Sequence, residues 1–206
     1  MTSSIKMIHG VRRKLFTWLN MLLEISPMSL PPKNILFLPL CNITGKPPMN
    51  VCKVNWHASV FENEQLAGFG CVIRDNMRIW IKGCSASIPL SSAFCCELHA
   101  IWIGLVMAWD CECKEVICEI DNRDMFLLVS RDTTSMIRND SDLLDKIKEM
   151  LQRNWTATLV FIQCTANRAA DLMAKTTTLN KQVYLEWLLP PNNLDIIIRE
   201  ECCSFY

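Results

Sequence analysis

The sequence has no surplus of either charge: 21 basic and 21 acidic side chains cancel over 206 residues. A dedicated polyanion binder wears a basic face, so the balance argues against one built over the whole chain. Glycine is scarce at six residues, and there are only two tyrosines and three histidines. So little glycine beside nine prolines excludes a low-complexity fibre, and 50% apolar with 20% charged residues excludes a disordered chain. No apolar run approaches the roughly 18–20 residues of a membrane-spanning helix. The longest, Ala100 to Trp109, is about half that length.

Cysteine, in contrast, is abundant at twelve. Cys95–Cys96 and Cys202–Cys203 are adjacent pairs, Cys111 and Cys113 are separated by one residue, and none has a histidine partner at zinc-site spacing. With no secretory signal in view, the cysteines read as reduced, mostly buried small hydrophobes in an intracellular protein. The length fits one domain with extensions, expected to be a monomer with no membrane partner.

Charge is unevenly spread. Residues 1–50 hold Lys6, Arg12, Arg13, Lys14, Lys33 and Lys46 against the single acid Glu24, and the remainder is net acidic. Met1 to Leu23 reads as a basic amphipathic helix, either an organelle transit peptide or a linker helix. A proline-punctuated connector follows, from Pro27 to Pro48. This gives an N-terminal extension over 1–45, a domain over 46–180 and a C-terminal tail over 181–206.

Within the domain the periodicity is regular. Strands are predicted at Val51–Ala58, Leu66–Arg74 and Arg78–Ser85, joined by short connections as an antiparallel meander. The period then becomes helical, with Ser91 or Ser92 as cap and Phe94, Leu98, Ile101, Leu105 and Ala108 on one face. Val116–Ile120 is a fourth strand, followed by helices over Asn122–Val129 and Ser141–Leu151. Trp155–Ile162 is a fifth strand, and Asn167–Lys175 a last short helix. The order predicts a mixed α/β fold: three antiparallel strands, then two parallel ones, in a five-stranded sheet flanked by helices. Trp56, Trp80 and Trp102 fall inside these regular patterns and read as core residues.

Five motifs occur in order: KPPMNVCKVNWHAS, AGFGCVIRD, SSAFCCELHAIWIGLVMAW, VICEIDN and ANRAADLMAK. Together they resemble the ribonuclease H-like domain that accompanies plant non-LTR reverse transcriptases and also stands alone in plant genes. The resemblance implies metal-assisted phosphodiester hydrolysis of RNA paired to DNA, with four carboxylates holding two magnesium (or manganese) ions. Carried over residue by residue, Glu97 matches the helix acid, Asp121 the fourth-strand acid and Asp171 the last-helix acid. The first-strand aspartate is missing, and His57 occupies its place. A neutral imidazole offers one lone pair, cannot bridge two ions, and prefers softer metals. Phe161 stands where the family has a histidine that helps release product, with Cys164 and Thr165 in place of Arg-Glu and Asn167 retained. Asn167 and Arg74 are the candidate nucleic-acid contacts, Arg74 having a surface pair with Asp75 as its plainer alternative. Asp121 could equally cap the helix that follows it.

Three functional readings follow. One is an active hybrid nuclease, the second a nucleic-acid or protein interaction module that has lost its chemistry, and the third a decaying retroelement fragment. The missing aspartate predicts impaired metal binding and cleavage. The balanced charge of residues 131–153 predicts weak, salt-sensitive binding.

Overall fold

The computed structural model describes residues 36–38, 51–61, 66–89, 92–130, 141–181 and 183–203. The basic N-terminal helix lies outside the described residues, and of the proline connector only Leu36–Leu38 is described, where it forms a strand. The elements are β1 (Leu36–Leu38), β2 (Val51–Phe61), β3 (Leu66–Arg74), β4 (Trp80–Pro89), α1 (Ala93–Asp110), β5 (Glu115–Ile120), α2 (Arg123–Ser130), α3 (Ser141–Gln152), β6 (Thr156–Phe161), α4 (Arg168–Leu179), β7 (Leu185–Trp187) and α5 (Asp195–Cys203).

The five expected strands form the centre of a mixed sheet in the order β1-β6-β5-β2-β3-β4-β7. β2, β3 and β4 are antiparallel neighbours, while β5 pairs parallel with β2 and with β6. The sheet has seven strands rather than five, because a three-residue strand is added at each edge. Among the described residues of the expected tail, β7 joins the sheet beside β4, and α5 packs against the same domain.

The sheet is covered on both faces. Side chains alternate along β2, so Val54 and Trp56 point to one layer while Asn55 and His57 point to the other. α1 lies against the first face, with Ser92 accepting a hydrogen bond from the Cys95 amide at 3.1 Å as its cap. By length and composition α1 would suit a bilayer, yet most of it is buried as the core helix. Close approach is possible at Gly104, where an added Cβ would sit 3.0 Å from the Trp56 ring. Trp56 and Trp102 are buried in this core as expected, and Trp80 packs against the second one. The nine cysteines whose side chains are described are all free.

On the second face α4 lies almost on the backbone of β3. A Cβ at Gly70 would come within 2.6 Å of the Ala170 carbonyl and of Met173 Cβ, so only glycine permits this approach. Gly70 is the register partner of His57. The contact therefore sets the height of α4, and of the acid it carries, over the middle of β2.

Candidate functional site

Each acid reaches the site by a different route. Asp121 is the residue after the last one in β5, at the strand's carboxyl end. It does not cap α2: Asn122 does, its Oδ1 accepting from the amides of Asp124 at 3.0 Å and Met125 at 3.2 Å. The Asp121 carboxylate is thereby left for the site, and its side chain is only 4% exposed. Asp171 sits in the first turn of α4, and Glu97 in the second turn of α1, 8% exposed.

His57 stands between two of these acids. Its Nδ1 lies 3.3 Å from Asp121 Oδ2, and its Nε2 lies 3.3 Å from Asp171 Oδ1. Both nitrogens of the ring therefore face a carboxylate, Nδ1 in hydrogen-bonding geometry with Asp121 and Nε2 within ion-pair distance of Asp171. Burial opposes the charge on His57. The hydrogen bond to Asp121 and the fields of Glu97, Asp121 and Asp171 outweigh it and raise its pKa.

Asp121 and Glu97 respond in opposite directions. Burial pushes the Asp121 carboxyl up, but hydrogen bonds from His57 and Asn167 and the charge of His57 bring it below its ordinary value. Glu97 is raised to about 7, chiefly by burial, with the charge of Asp121 adding to the rise and His57 and an Ala58 backbone contact opposing it.

These shifts fix a pH profile. The stability that Asp121 contributes is present above its unfolded pKa and lost as pH falls through its lowered folded value. That from His57 is present below its unfolded pKa and lost as pH rises through its raised one. Glu97 destabilises progressively between its unfolded value of about 4.3 and its folded value. Stability measured by urea midpoint should therefore be greatest near pH 5 and decline toward pH 8. Glu97→Gln should remove about 2–4 kcal/mol of that decline. A midpoint that climbs between pH 5 and 8 in the natural protein would contradict the arrangement.

Asn167 is buried, with 1% exposure, and not available to a duplex backbone. Its Nδ2 donates to the Trp56 carbonyl at 2.8 Å and to Asp121 Oδ2 at 3.0 Å, tying β2 to the end of β5. It is a positioning residue. Arg74 is buried as well. Its partners are Glu201 and Asn55 Oδ1, the latter at 2.8 Å, and not Asp75. Phe161 packs its ring near that of Phe126, with centroids 6.0 Å apart, so this position has become apolar. Cys164 is exposed beside the site, its Sγ 3.9 Å from the Asp121 carbonyl.

Two contributors were not singled out in the sequence. Lys175 holds Asp171 Oδ2 at 2.8 Å from one turn along α4, a pairing that its i,i+4 spacing signals. Lys53 donates to Glu119 at 2.6 Å, and Asn55 donates to the same carboxylate at 2.8 Å. Nothing local signals that pair, because it spans two strands far apart in sequence.

The residue set does not fit a pair of divalent ions. Asp121 Oδ2 is already shared by Asn167 and His57, Asp171 is held by His57 and Lys175, and burial raises the Glu97 pKa to about 7. Among the described residues no three His, Cys, Asp or Glu converge closely enough to hold a metal ion. The His57 ring lies among these carboxylates, whose hydrogen bond and fields raise its pKa.

Comparisons with known proteins agree with the fold. The chain is 28% identical over 149 residues to an Arabidopsis thaliana protein provisionally named a ribonuclease H protein, the match covering 72% of this chain and 24% of that one. The chain thus spans about a quarter of that relative's length. Among solved structures, the N-terminal ribonuclease H domain of a Mycobacterium tuberculosis protein superposes with a TM-score of 0.58 at 14% identity, over 64% of this chain and 95% of that one. A type 1 ribonuclease H from a compost metagenome, solved with an RNA/DNA hybrid, gives 0.57 at 18% identity, over 63% and 97%. The sequence pattern of the reverse transcriptase-like family matches residues 55–177, a span that holds His57, Glu97, Asp121, Asn167 and Asp171. On that match, which takes in more than half of its length, this chain belongs to the reverse transcriptase-like family and carries a ribonuclease H-like domain.

Proposed function

We propose that this chain is a ribonuclease H-like module that binds nucleic acid, an RNA–DNA hybrid by family resemblance, and does not hydrolyse it. The observation that carries this reading is His57 placed 3.3 Å from both Asp121 and Asp171. Divalent ions in such sites lower the pKa of a bound water and stabilise the leaving oxygen. An imidazole ring cannot act as a Lewis acid toward water, and here both of its nitrogens are turned to carboxylates rather than to a substrate oxygen. It holds the carboxylates apart. Phe161 removes a second proton-handling group, since a phenyl ring neither donates nor accepts a proton.

The competing reading is an active hydrolase, in which Glu97, Asp121 and Asp171 would gather magnesium or manganese without the fourth acid. Loss of one member of a cooperative catalytic set commonly costs several orders of magnitude in rate, which favours the inactive module. Its origin in a retroelement and a plant source follow from the same resemblance.

Gel shift of a labelled RNA–DNA hybrid by the full chain tests this. Weak binding is expected at low salt, falling roughly ten-fold or more when salt is raised from 50 to 200 mM. No cleavage is expected with magnesium or manganese. Metal-dependent cutting that disappears in Asp121→Asn would refute the inactive reading, and no shift at low salt would refute nucleic-acid binding.

A further inference from the structure

At the far end of α1 from Glu97, two thiols meet between helix and sheet. The helix closes in a Schellman arrangement: the Glu112 amide donates to the Trp109 carbonyl at 2.9 Å, and the Cys113 amide to that of Ala108 at 3.2 Å. Glu112 takes the left-handed conformation that this ending requires, at a φ of 59°, without being a glycine. The chain is thereby turned back under the helix, and Cys113 is 6% exposed. Cys52 enters the same space from the sheet. It is the second residue of β2, two before Val54, so alternation points it to the α1 face, where it is half-buried against the core.

The two side chains are in hydrogen-bond contact, the Cys113 thiol donating to the Cys52 sulfur. That bond lowers the pKa of Cys52 against burial and the charge of Asp75, and with burial it raises that of Cys113. The pair is therefore unequal. Cys52 is the more accessible sulfur and the readier thiolate, while Cys113 is the covered partner that keeps its proton. A strand and a helix end carry them, so no loop has to move to bring them together. Cys71 and Cys84, opposite each other on β3 and β4, also touch, but both are 0% exposed and closed to any reagent. Cys111 is half-buried nearby, its thiol pushed up chiefly by burial.

We propose that Cys52 and Cys113 form a reversible modification site, oxidised to a disulfide by a small-molecule disulfide such as glutathione disulfide. The Cys52 thiolate attacks one sulfur of the reagent, forming a mixed disulfide and releasing the other half as a thiolate, which takes the proton that Cys113 gives up. The Cys113 thiolate then attacks Cys52 Sγ, and the second half leaves as a thiolate that takes a proton from solvent. Two protein thiols are oxidised, and one disulfide is reduced to two thiols. The link pins the end of α1 to the start of β2, the strand that carries His57.

Glutathione disulfide added to the reduced full chain, followed by alkylation and peptide mapping with fragmentation to single residues, locates the link. The Cys52–Cys113 disulfide should form roughly ten-fold or more faster than any other pairing, and excess reduced glutathione should reverse it. Closing a loop of about sixty residues should raise the thermal midpoint by about 5 °C or more. In Cys113→Ala the reaction should stop at its first step, with glutathione held on Cys52 and no rise in midpoint. Cys52→Ser, a change at a half-buried position, should leave Cys113 unmodified, and it keeps the test decisive if Cys113→Ala does not fold. Cys111→Ser should form the link unchanged. A first link that joins other cysteines, Cys52 to Cys111 included, or no link at all, would overturn the site.

Discussion

His57→Asp is expected to make the thermal midpoint rise with magnesium, a response not expected of the natural protein. In chelator, the new carboxylate would join Glu97, Asp121 and Asp171 with no cation among them, and like charges in so small a space repel. The variant should then melt below the natural protein. Magnesium at a hundred times its dissociation constant would return about 2.7 kcal/mol, which in a domain of this size is roughly 5–10 °C. The natural protein should move by less than a degree or two, because an imidazole cannot bridge two magnesium ions as the missing carboxylate would. Activity should follow metal. Hybrid cleavage is expected to emerge in His57→Asp and to vanish when Asp121→Asn is added. A variant that melts identically with and without magnesium would show that more than this one ligand is missing.

The second large effect is expected at the far end of the same face. Arg74 and Glu201 are separated by 127 residues in sequence, yet their side chains are only 5% and 11% exposed. Arg74→Leu leaves the Glu201 carboxylate buried without its cation, and breaking one side of such a pair commonly costs about 3–5 kcal/mol. Replacing both with leucine should recover most of the loss, since the isolated charge rather than the missing attraction dominates. Urea denaturation of the two single variants and the double one measures the coupling. Three midpoints equal to that of the natural protein would mean that the Arg74–Glu201 pair does not hold α5, leaving its apolar contacts and the Arg168–Glu200 pair to do so.

The central strands and the helices α1 to α4 were legible because each writes its own period: alternation through Val54 and Trp56, and a three-to-four spacing from Phe94 to Ala108. The last residues of β2, Ser59 to Phe61, were not, since their pairing depends on β3 across the turn. Neither edge strand was legible, because three residues are too few to show a period and are held in place by the neighbour they pair with. The acids at 97, 121 and 171 were placed by motif, and the structure brings His57 together with Asp121 and Asp171. What the motif could not give was direction. Asn167 turns inward to Trp56 and Asp121, and Asn122 rather than Asp121 takes the cap. Arg74 meets a glutamate whose position depends on the whole course of the chain after α4.

The contact of α4 on Gly70 has a consequence for how this site can change. With helix and sheet already touching through their main chains, the gap between them is a gauge block that admits neither shims nor trimming. Alterations at the centre are therefore confined to swapping one tip for another at a fixed separation. A cation-bearing ring and an acid of similar reach become interchangeable parts, and the rest of the frame need not register which one is fitted.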